Sequence, residues 1–379
     1  MTPDELRSAQ KLTMANPERL RLLARMLTHP AGRVTAEGLL PHAAHGEVSP
    51  SSGAASAVAD VDVDVDVEHD LEALVAVGLV AVVGPTPLAG SAPPGAPLYR
   101  VSSRGIARFG AAALAAPRYP GEAALDVHDH EALLARLIDT LSGGFAANAG
   151  AGTVDRLVRE CYSALHRRDG SLEHLPALTA WLATDRLAAM TEVTHGSPRD
   201  VLFVCVHNTG RSQIAAAVTR RLAGDRVRVR TAGTRPGAEP DAMTETVLAR
   251  RGLDGLIEFP RELTDDIVRA SGVIVTMGCG DTCPVYPGRR YLDWPLDDPA
   301  GRPIEEVERI VDDITGRVRA LLADIDAAED QSTEGQVPAA GSAGIPSTWA
   351  QGEPGPETAL RPWSATAAVH DAKSQRKAR

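Results

Sequence analysis

The chain has 379 residues, a formal net charge of −11 and only 4 cysteines. That length accommodates roughly two or three domains, the cysteine content excludes a disulfide-stapled scaffold, and the acidic balance excludes a general polyanion binder. With no signal peptide and no apolar run long enough to span a bilayer, the expectation is a soluble, cytoplasmic protein without a membrane partner, in a compartment where thiols stay reduced.

Asn16 caps a helix entered through Pro17, behind which Leu20, Leu23, Ala24 and Leu27 recur at helical spacing. Residues 41–60 are rich in Ser, Ala and Gly and read as a flexible insert. The alternating Val-Asp run through Asp60, Asp62, Asp64 and Asp66 extends it into an acidic insert over about 41–66. That run reads as a strand or a solvated spacer, since nothing in it supplies the geometry of a calcium loop. A helix over Glu68–Val77 stops at Gly78, strands Leu79–Val83 and Leu98–Val101 flank a Pro/Gly-rich tip, and a further helix starts at Ser103.

Helices followed by a two-stranded wing make a winged helix-turn-helix. Asn16–Leu27, Val67–Val80 and Tyr99–Val101 resemble the ArsR family of arsenic-responsive repressors. The resemblance implies a winged-helix domain over 1–115 that forms a homodimer and takes operator DNA as its partner. Charge opposes the second role. The reading helix would include Val67-Glu68-His69-Asp70-Leu71-Glu72, and residues 1–115 hold 9 Arg plus Lys against 12 Asp plus Glu, a net of −3. Phosphate contacts dominate DNA affinity, and acidic residues weaken them. No cysteine precedes Cys161, which excludes thiol sensing of arsenite inside this module. Dimerisation or docking is the alternative use.

Residues 117–128 read as a linker. His130–Leu141, Thr153–His166 and Leu172–Met190 have apolar residues at helical spacing, with Thr153 as an N-cap and Gly170 as a stop before Ser171. Together they make a three-helix module over 129–193, similar to the helical extension ahead of some actinobacterial arsenate reductases. Cys161, flanked on its helix by Leu157 and Leu165, reads as core packing.

The apolar strand Val201–Val204 runs into Cys205-Val206-His207-Asn208-Thr209-Gly210-Arg211-Ser212, and a helix over Gln213–Leu222 follows. A loop at a helix N-terminus turns its N–H groups inward, and the helix dipole favours an anion there. The same field stabilises a thiolate at Cys205. Arg211 adds a planar fork suited to two oxygens of a tetrahedral oxyanion. Residues 206–212 are therefore candidate oxyanion ligands and Cys205 a candidate nucleophile, toward phosphate or something shaped like it.

Val227–Val229 is a second strand, ending in Thr231-Ala232-Gly233. Val273–Thr276 is a third, running into Met277-Gly278-Cys279-Gly280-Asp281-Thr282-Cys283-Pro284, and Asp293–Pro299 makes a carboxylate-bearing loop. Helical patterns at Asp241–Arg251 and Ile304–Ile325 separate or follow these strands, which argues a parallel sheet with ligands at its carboxyl edge. Cys205, Cys279 and Cys283 all follow strand ends. A zinc half-site at the last two lacks further ligands, His207 being the nearest candidate, so no metal is expected.

Residues 198–327 resemble the low-molecular-weight tyrosine phosphatase superfamily, and within it the arsenate reductases. The matching motifs are Cys205 with Arg211-Ser212, the Thr231-Ala232-Gly233 strand end, the Cys279/Cys283 loop and Asp297-Asp298-Pro299-Ala300. The gap of three between Cys279 and Cys283 is shorter than in the best-known thioredoxin-coupled reductases and matches an actinobacterial subgroup. The resemblance implies an α/β fold with a four-stranded parallel sheet, Asn208 bracing the loop and Asp298 as general acid. It also implies a substrate, arsenate, and a disulfide relay from Cys205 to Cys279 to Cys283. In a helical loop Cys279 and Cys283 would stand roughly 6 Å apart at Cα, within disulfide range.

No cofactor is expected beyond an external thiol donor: thioredoxin, or mycothiol with mycoredoxin. A phosphatase would need only Cys205, Arg211 and Asp298 and stays an alternative, as does a DNA-binding arsenic sensor. Residues 328–379, rich in Ala, Gly, Pro, Ser, Gln and Glu, read as a disordered tail. The architecture expected is thus multidomain: winged helix, three-helix bundle, α/β domain and tail.

Overall fold

A computed structural model describes residues 2–39, 66–84, 96–119, 121–168, 174–191, 196–278 and 285–334. Most of the acidic insert, Gly170, Ser171, Cys279, Cys283 and the tail beyond residue 334 lie outside the described residues.

The first helix, α1 (Pro3–Thr13), is one that hydrophobic spacing does not announce. A local device starts it: the Thr2 hydroxyl accepts the Glu5 N–H at 3.2 Å, and the Glu5 carboxylate accepts the Thr2 N–H at 2.6 Å. Helix α2 (Pro17–Leu27) begins where predicted, with Asn16 accepting the Glu18 N–H at 2.9 Å. Asp66, the last carboxylate of the acidic run, caps α3 (Val67–Ala76) by accepting the His69 N–H at 2.9 Å. Strands β1 (Val80–Val83) and β2 (Leu98–Val101) pair antiparallel with Val80 opposite Val101. Ser102 then caps α4 (Ser103–Ala115).

Three helices follow: α5 (His130–Gly144), α6 (Ala151–Arg167) and α7 (Leu175–Thr191). Thr153 is not the cap of α6; Gly150 occupies that position, with no side-chain cap bond. Leu22 and Leu23 of α2 share one buried core with Leu133 and Leu137 of α5 and Ala177 and Ala180 of α7. Gly110 of α4 faces Ala177 so closely that a Cβ there would lie 2.5 Å from the alanine methyl.

The remaining elements alternate. They are β3 (Asp200–Cys205), α8 (Arg211–Ala223), β4 (Arg228–Gly233), α9 (Ala242–Arg250), α10 (Asp265–Ala270), β5 (Val273–Thr276), β6 (Arg290–Asp293) and α11 (Ile304–Glu334). The sheet is four-stranded and parallel throughout, in the order β4-β3-β5-β6. Successive side chains on a strand face opposite ways. Leu202 and Val204 therefore pack with Ile267 and Val268 of α10. Val201 and Phe203 pack with Ile214 of α8 and Val307 and Val311 of α11. Cys205 comes at the carboxyl end of a strand covered on both faces, the edge where parallel sheets hold ligands.

Two boundaries differ from the sequence expectation. Strand β4 starts and ends later than Val227–Val229 and takes in Thr231-Ala232-Gly233, because Arg228 and Arg230 find ionic partners and the strand continues through them. Helix α11 runs past residue 328, where the tail was expected to begin.

The α/β elements are not set apart from those before them; residues 1–331 form one compact unit. Ala81 and Val83 of β1 are buried in the same core as α8. Arg33 donates to the carbonyls of Gly224, Asp225 and Val227 at 3.0–3.2 Å. Arg186 of α7 pairs with Asp266 of α10 at 2.9 Å.

Candidate active site

Residues 205–210 form a loop whose carbonyls are all engaged on its outside. The Cys205, Val206, His207 and Thr209 carbonyls accept backbone N–H groups from Thr234, Arg235, Gly237 and Asp241 at 2.8–3.3 Å. The Asn208 carbonyl accepts from Gln213 Nε2 at 3.0 Å, and that of Gly210 accepts the Ile214 N–H at 2.9 Å. With its acceptors turned outward, the loop turns N–H groups toward the Cys205 sulfur; the Asn208 N–H already donates to Sγ at 3.1 Å. That is the construction of an anion cradle at a helix start.

Asn208 is the pivot. Its φ of 54° is the only positive value at a non-glycine residue among the described residues, and Asn tolerates that region better than most residues. Its Nδ2 donates to Ser212 Oγ at 2.8 Å, and its Oδ1 accepts the Arg261 N–H at 3.0 Å. Ser212 Oγ in turn lies 3.1 Å from Cys205 Sγ. Both side chains are fully buried, so neither hydrogen bond competes with solvent.

Arg211 opens α8 and is buried to 8 % exposure. Its Nη2 lies 2.9 Å from Asp298 Oδ2, so the anion clamp and a carboxylate share one mouth. Asp298 is 45 % exposed at its side chain, whereas Asp297 is 74 % exposed and meets Arg302 only at 3.8 Å. Of the two neighbouring aspartates, geometry brings Asp298 to the cradle. Trp294, buried 5.8 Å from Phe203 between ring centres, anchors the strand leading to that loop. Pro299 seats it on Gly210, where a Cβ would come within 2.5 Å of the proline ring.

Gly278 closes the other side. It has a φ of 74°, and a Cβ there would lie 2.8 Å from Arg211 Nη1. It is also the last described residue before Cys279. The chain thus enters the cysteine segment in contact with the clamp. Val206 and Thr209 are half-buried and His207 is exposed. Among the described residues no group of His, Cys, Asp and Glu is placed to hold a metal ion, and no helix is long and apolar enough to cross a membrane. Cys161 is fully buried on α6, beside Arg186.

Sequence reasoning missed the layer beneath the cradle. The Glu258 carboxylate, 7 % exposed, meets Arg100 at 2.7 Å, Arg220 at 2.8 Å and Arg261 at 3.4 Å. Burial alone would raise this carboxyl, but Arg220, Arg100 and Arg261 hold it well below the ordinary carboxylate range. Burial likewise pulls Arg220 down to about 10, against the attraction of Glu258. The Glu258 N–H donates to Gln213 Oε1 at 2.9 Å, which ties this cluster to the loop through Asn208. Nothing in the spacing of Glu258 and Arg261 marks them, since their partners come from β2, β4 and α8.

Comparison with known proteins finds relatives of two stretches of the chain. Residues 200–331 match the family described as low molecular weight phosphotyrosine protein phosphatase, and residues 134–191 match a protein-tyrosine-phosphatase-like N-terminal domain. A putative arsenate reductase of Halobacterium salinarum is 36 % identical over 125 residues, covering 32 % of this chain and 88 % of that protein. Arsenate reductase 1 of Staphylococcus epidermidis is 31 % identical over 128 residues, covering 32 % and 95 %. Among solved structures, the Corynebacterium glutamicum thioredoxin-dependent arsenate reductase Cg_ArsC1' is 39 % identical, covers 52 % of this chain and 99 % of its own, and superposes with a TM-score of 0.47.

Proposed function

The chain belongs to the low-molecular-weight phosphotyrosine protein phosphatase family, with arsenate reductases among its relatives, and on that premise we propose that it reduces arsenate to arsenite with its own thiols. The Cys205 thiolate attacks arsenic held by the loop N–H groups and Arg211, while Asp298 protonates the oxygen that departs as water. Ser212, 3.1 Å from the sulfur, supports the thiolate as a hydroxyl donor. Cys279 then attacks the Cys205 sulfur of the adduct. The sulfur–arsenic bond breaks, its electron pair stays on arsenic, and arsenite leaves as a Cys205–Cys279 disulfide forms. Cys283 displaces Cys205 from Cys279 by thiolate exchange. An external dithiol such as thioredoxin, or mycothiol with mycoredoxin, returns the pair to the thiol state.

The observation that carries this reading over a simple phosphatase is Gly278. A phosphatase has no use for a cysteine pair, yet Gly278, one residue before Cys279, lies so near Arg211 that a Cβ there would be 2.8 Å from Nη1. The test is arsenate-dependent NADPH oxidation by the full chain with thioredoxin and thioredoxin reductase, and in parallel with mycothiol and mycoredoxin. Sustained turnover with either donor, lost in Cys279→Ser and Cys283→Ser, supports the relay. A chain that hydrolyses an aryl phosphate and keeps that rate in both variants, with no arsenate turnover, is a phosphatase.

For the N-terminal elements we favour docking over operator binding. The ArsR-like reading places α3 in the DNA groove, yet Glu68 and Glu72 are exposed on it. The β1–β2 hairpin, the wing of that reading, contributes Ala81 and Val83 to the catalytic-type core and Arg100 to Glu258. A gel shift with the chain's own promoter at low salt checks this, and retardation there would restore the repressor.

A further inference from the structure

Beneath the cradle, where β2, α7 and β4 meet, lies a half-open cavity of about 80 Å³. Arg33, Arg100, Arg220, Arg228 and Arg230 line it, facing Glu258 and Asp185. Arg261 and Asp200 bond to these groups. A buried polar atom left without a partner is costly out of water. Two polar atoms sharpen the point. Arg100 Nη1 and Thr184 Oγ1 are buried and lack a hydrogen-bond partner among the described residues. Arg100 is 8 % exposed and Thr184 3 %, and both line the cavity.

We propose that this cavity is a second oxyanion site, for a small inorganic tetrahedral anion of the phosphate class, separate from the catalytic cradle. Size sets the ligand. The space exceeds the roughly 10–15 Å³ that a single water needs and falls well below the roughly 300 Å³ at which pockets for organic ligands begin. Guanidinium forks match tetrahedral oxyanions in shape as well as charge. An ion here accepts from Arg100 Nη1 and Thr184 Oγ1 and so satisfies both buried donors. Its ligands come from β2 and α7 on one side and from α8 and β4 on the other, so it clamps the N-terminal elements to the sheet that carries Cys205.

The experiment is equilibrium dialysis of radiolabelled inorganic phosphate against the full chain, followed by crystals grown in selenate and read by anomalous scattering. Two phosphates per chain are expected, one in the cradle and one here, with a selenate peak beside Arg100 and Thr184. Arg100→Met should weaken the second ion by about tenfold or more, as loss of a charge-assisted hydrogen bond does, and leave the cradle ion unchanged. Should that variant not fold, Thr184→Val supplies a milder weakening of the same ion. One phosphate per chain, two that both survive the substitutions, or a second selenate seated elsewhere would overturn the proposal.

Discussion

Arg261 donates its backbone N–H to Asn208 Oδ1 at 3.0 Å, while its guanidinium pairs with Asp185 of α7 at 2.7 Å and stacks over the Trp181 ring at 5.1 Å. One residue thus touches both the brace of the anion loop and the helical module ahead of it. The helices before residue 193 are part of what holds the loop in shape.

Asn208 should therefore separate backbone from side-chain effects. Asn208→Gly keeps access to the positive φ but removes the bonds to Ser212 and Arg261. The expected loss is about 1–3 kcal/mol, or roughly 10- to 100-fold in kcat/KM. Asn208→Ala adds backbone strain of about 1–2 kcal/mol and should be worse on activity and on melting temperature. Equal rates in wild type and the glycine variant would show that the side chain braces nothing.

Gly278→Ala tests the contact between the cysteine segment and the clamp. A methyl at that position would sit 2.8 Å from Arg211 Nη1 on a residue with a φ of 74°. The exposed backbone can absorb part of the strain, so stability should fall by only about 1–2 kcal/mol. Arg211 must move, and a guanidinium displaced from its oxyanion should cost about tenfold or more in kcat/KM. Steady-state kinetics beside thermal denaturation separates the two effects.

The cradle and the sheet were legible because their signals are local. An apolar strand, Cys205, Arg211 and a helix lie within one short stretch, and each constrains the next. Strand β6 was not legible as a pattern, since Arg290-Tyr291-Leu292-Asp293 is a partly exposed edge with no apolar run. Nor was the Glu258 cluster, whose charges are paired across elements far apart in sequence. A lone Glu or Arg reads as surface until the fold supplies its partner. Asp66 shows the converse. It counts as one more acidic residue in the Val-Asp run, and only the helix start at Val67 reveals it as a cap.

Cys161 and Cys205 are both buried cysteines, yet their chemistry should diverge. Burial pushes the Cys161 thiol up to about 11, against the pull of Arg186, so it stays protonated at neutral pH. Brief alkylation with iodoacetamide at pH near 7 followed by peptide mass mapping should label Cys205 and leave Cys161 untouched. Label at Cys161 in the folded chain would mean that α6 opens under these conditions. After denaturation both should react.

The Glu258 cluster predicts a stability that depends on pH. Glu258 keeps its charge in the folded chain far below the ordinary carboxylate value of 4.5 because three arginines surround it. A depressed folded-state value adds stability that is complete above the unfolded value and disappears as pH falls toward the folded one. At neutral pH, Glu258→Gln leaves Arg100, Arg220 and Arg261 without their shared counter-charge and should cost about 3–5 kcal/mol. Acidification below pH 4.5 protonates the unfolded carboxyl first, so the wild type loses its advantage and the two melting curves converge. Melting temperatures of both chains from pH 7 downward measure that convergence. A gap that stays constant with pH would mean the destabilisation comes from packing rather than from the charge.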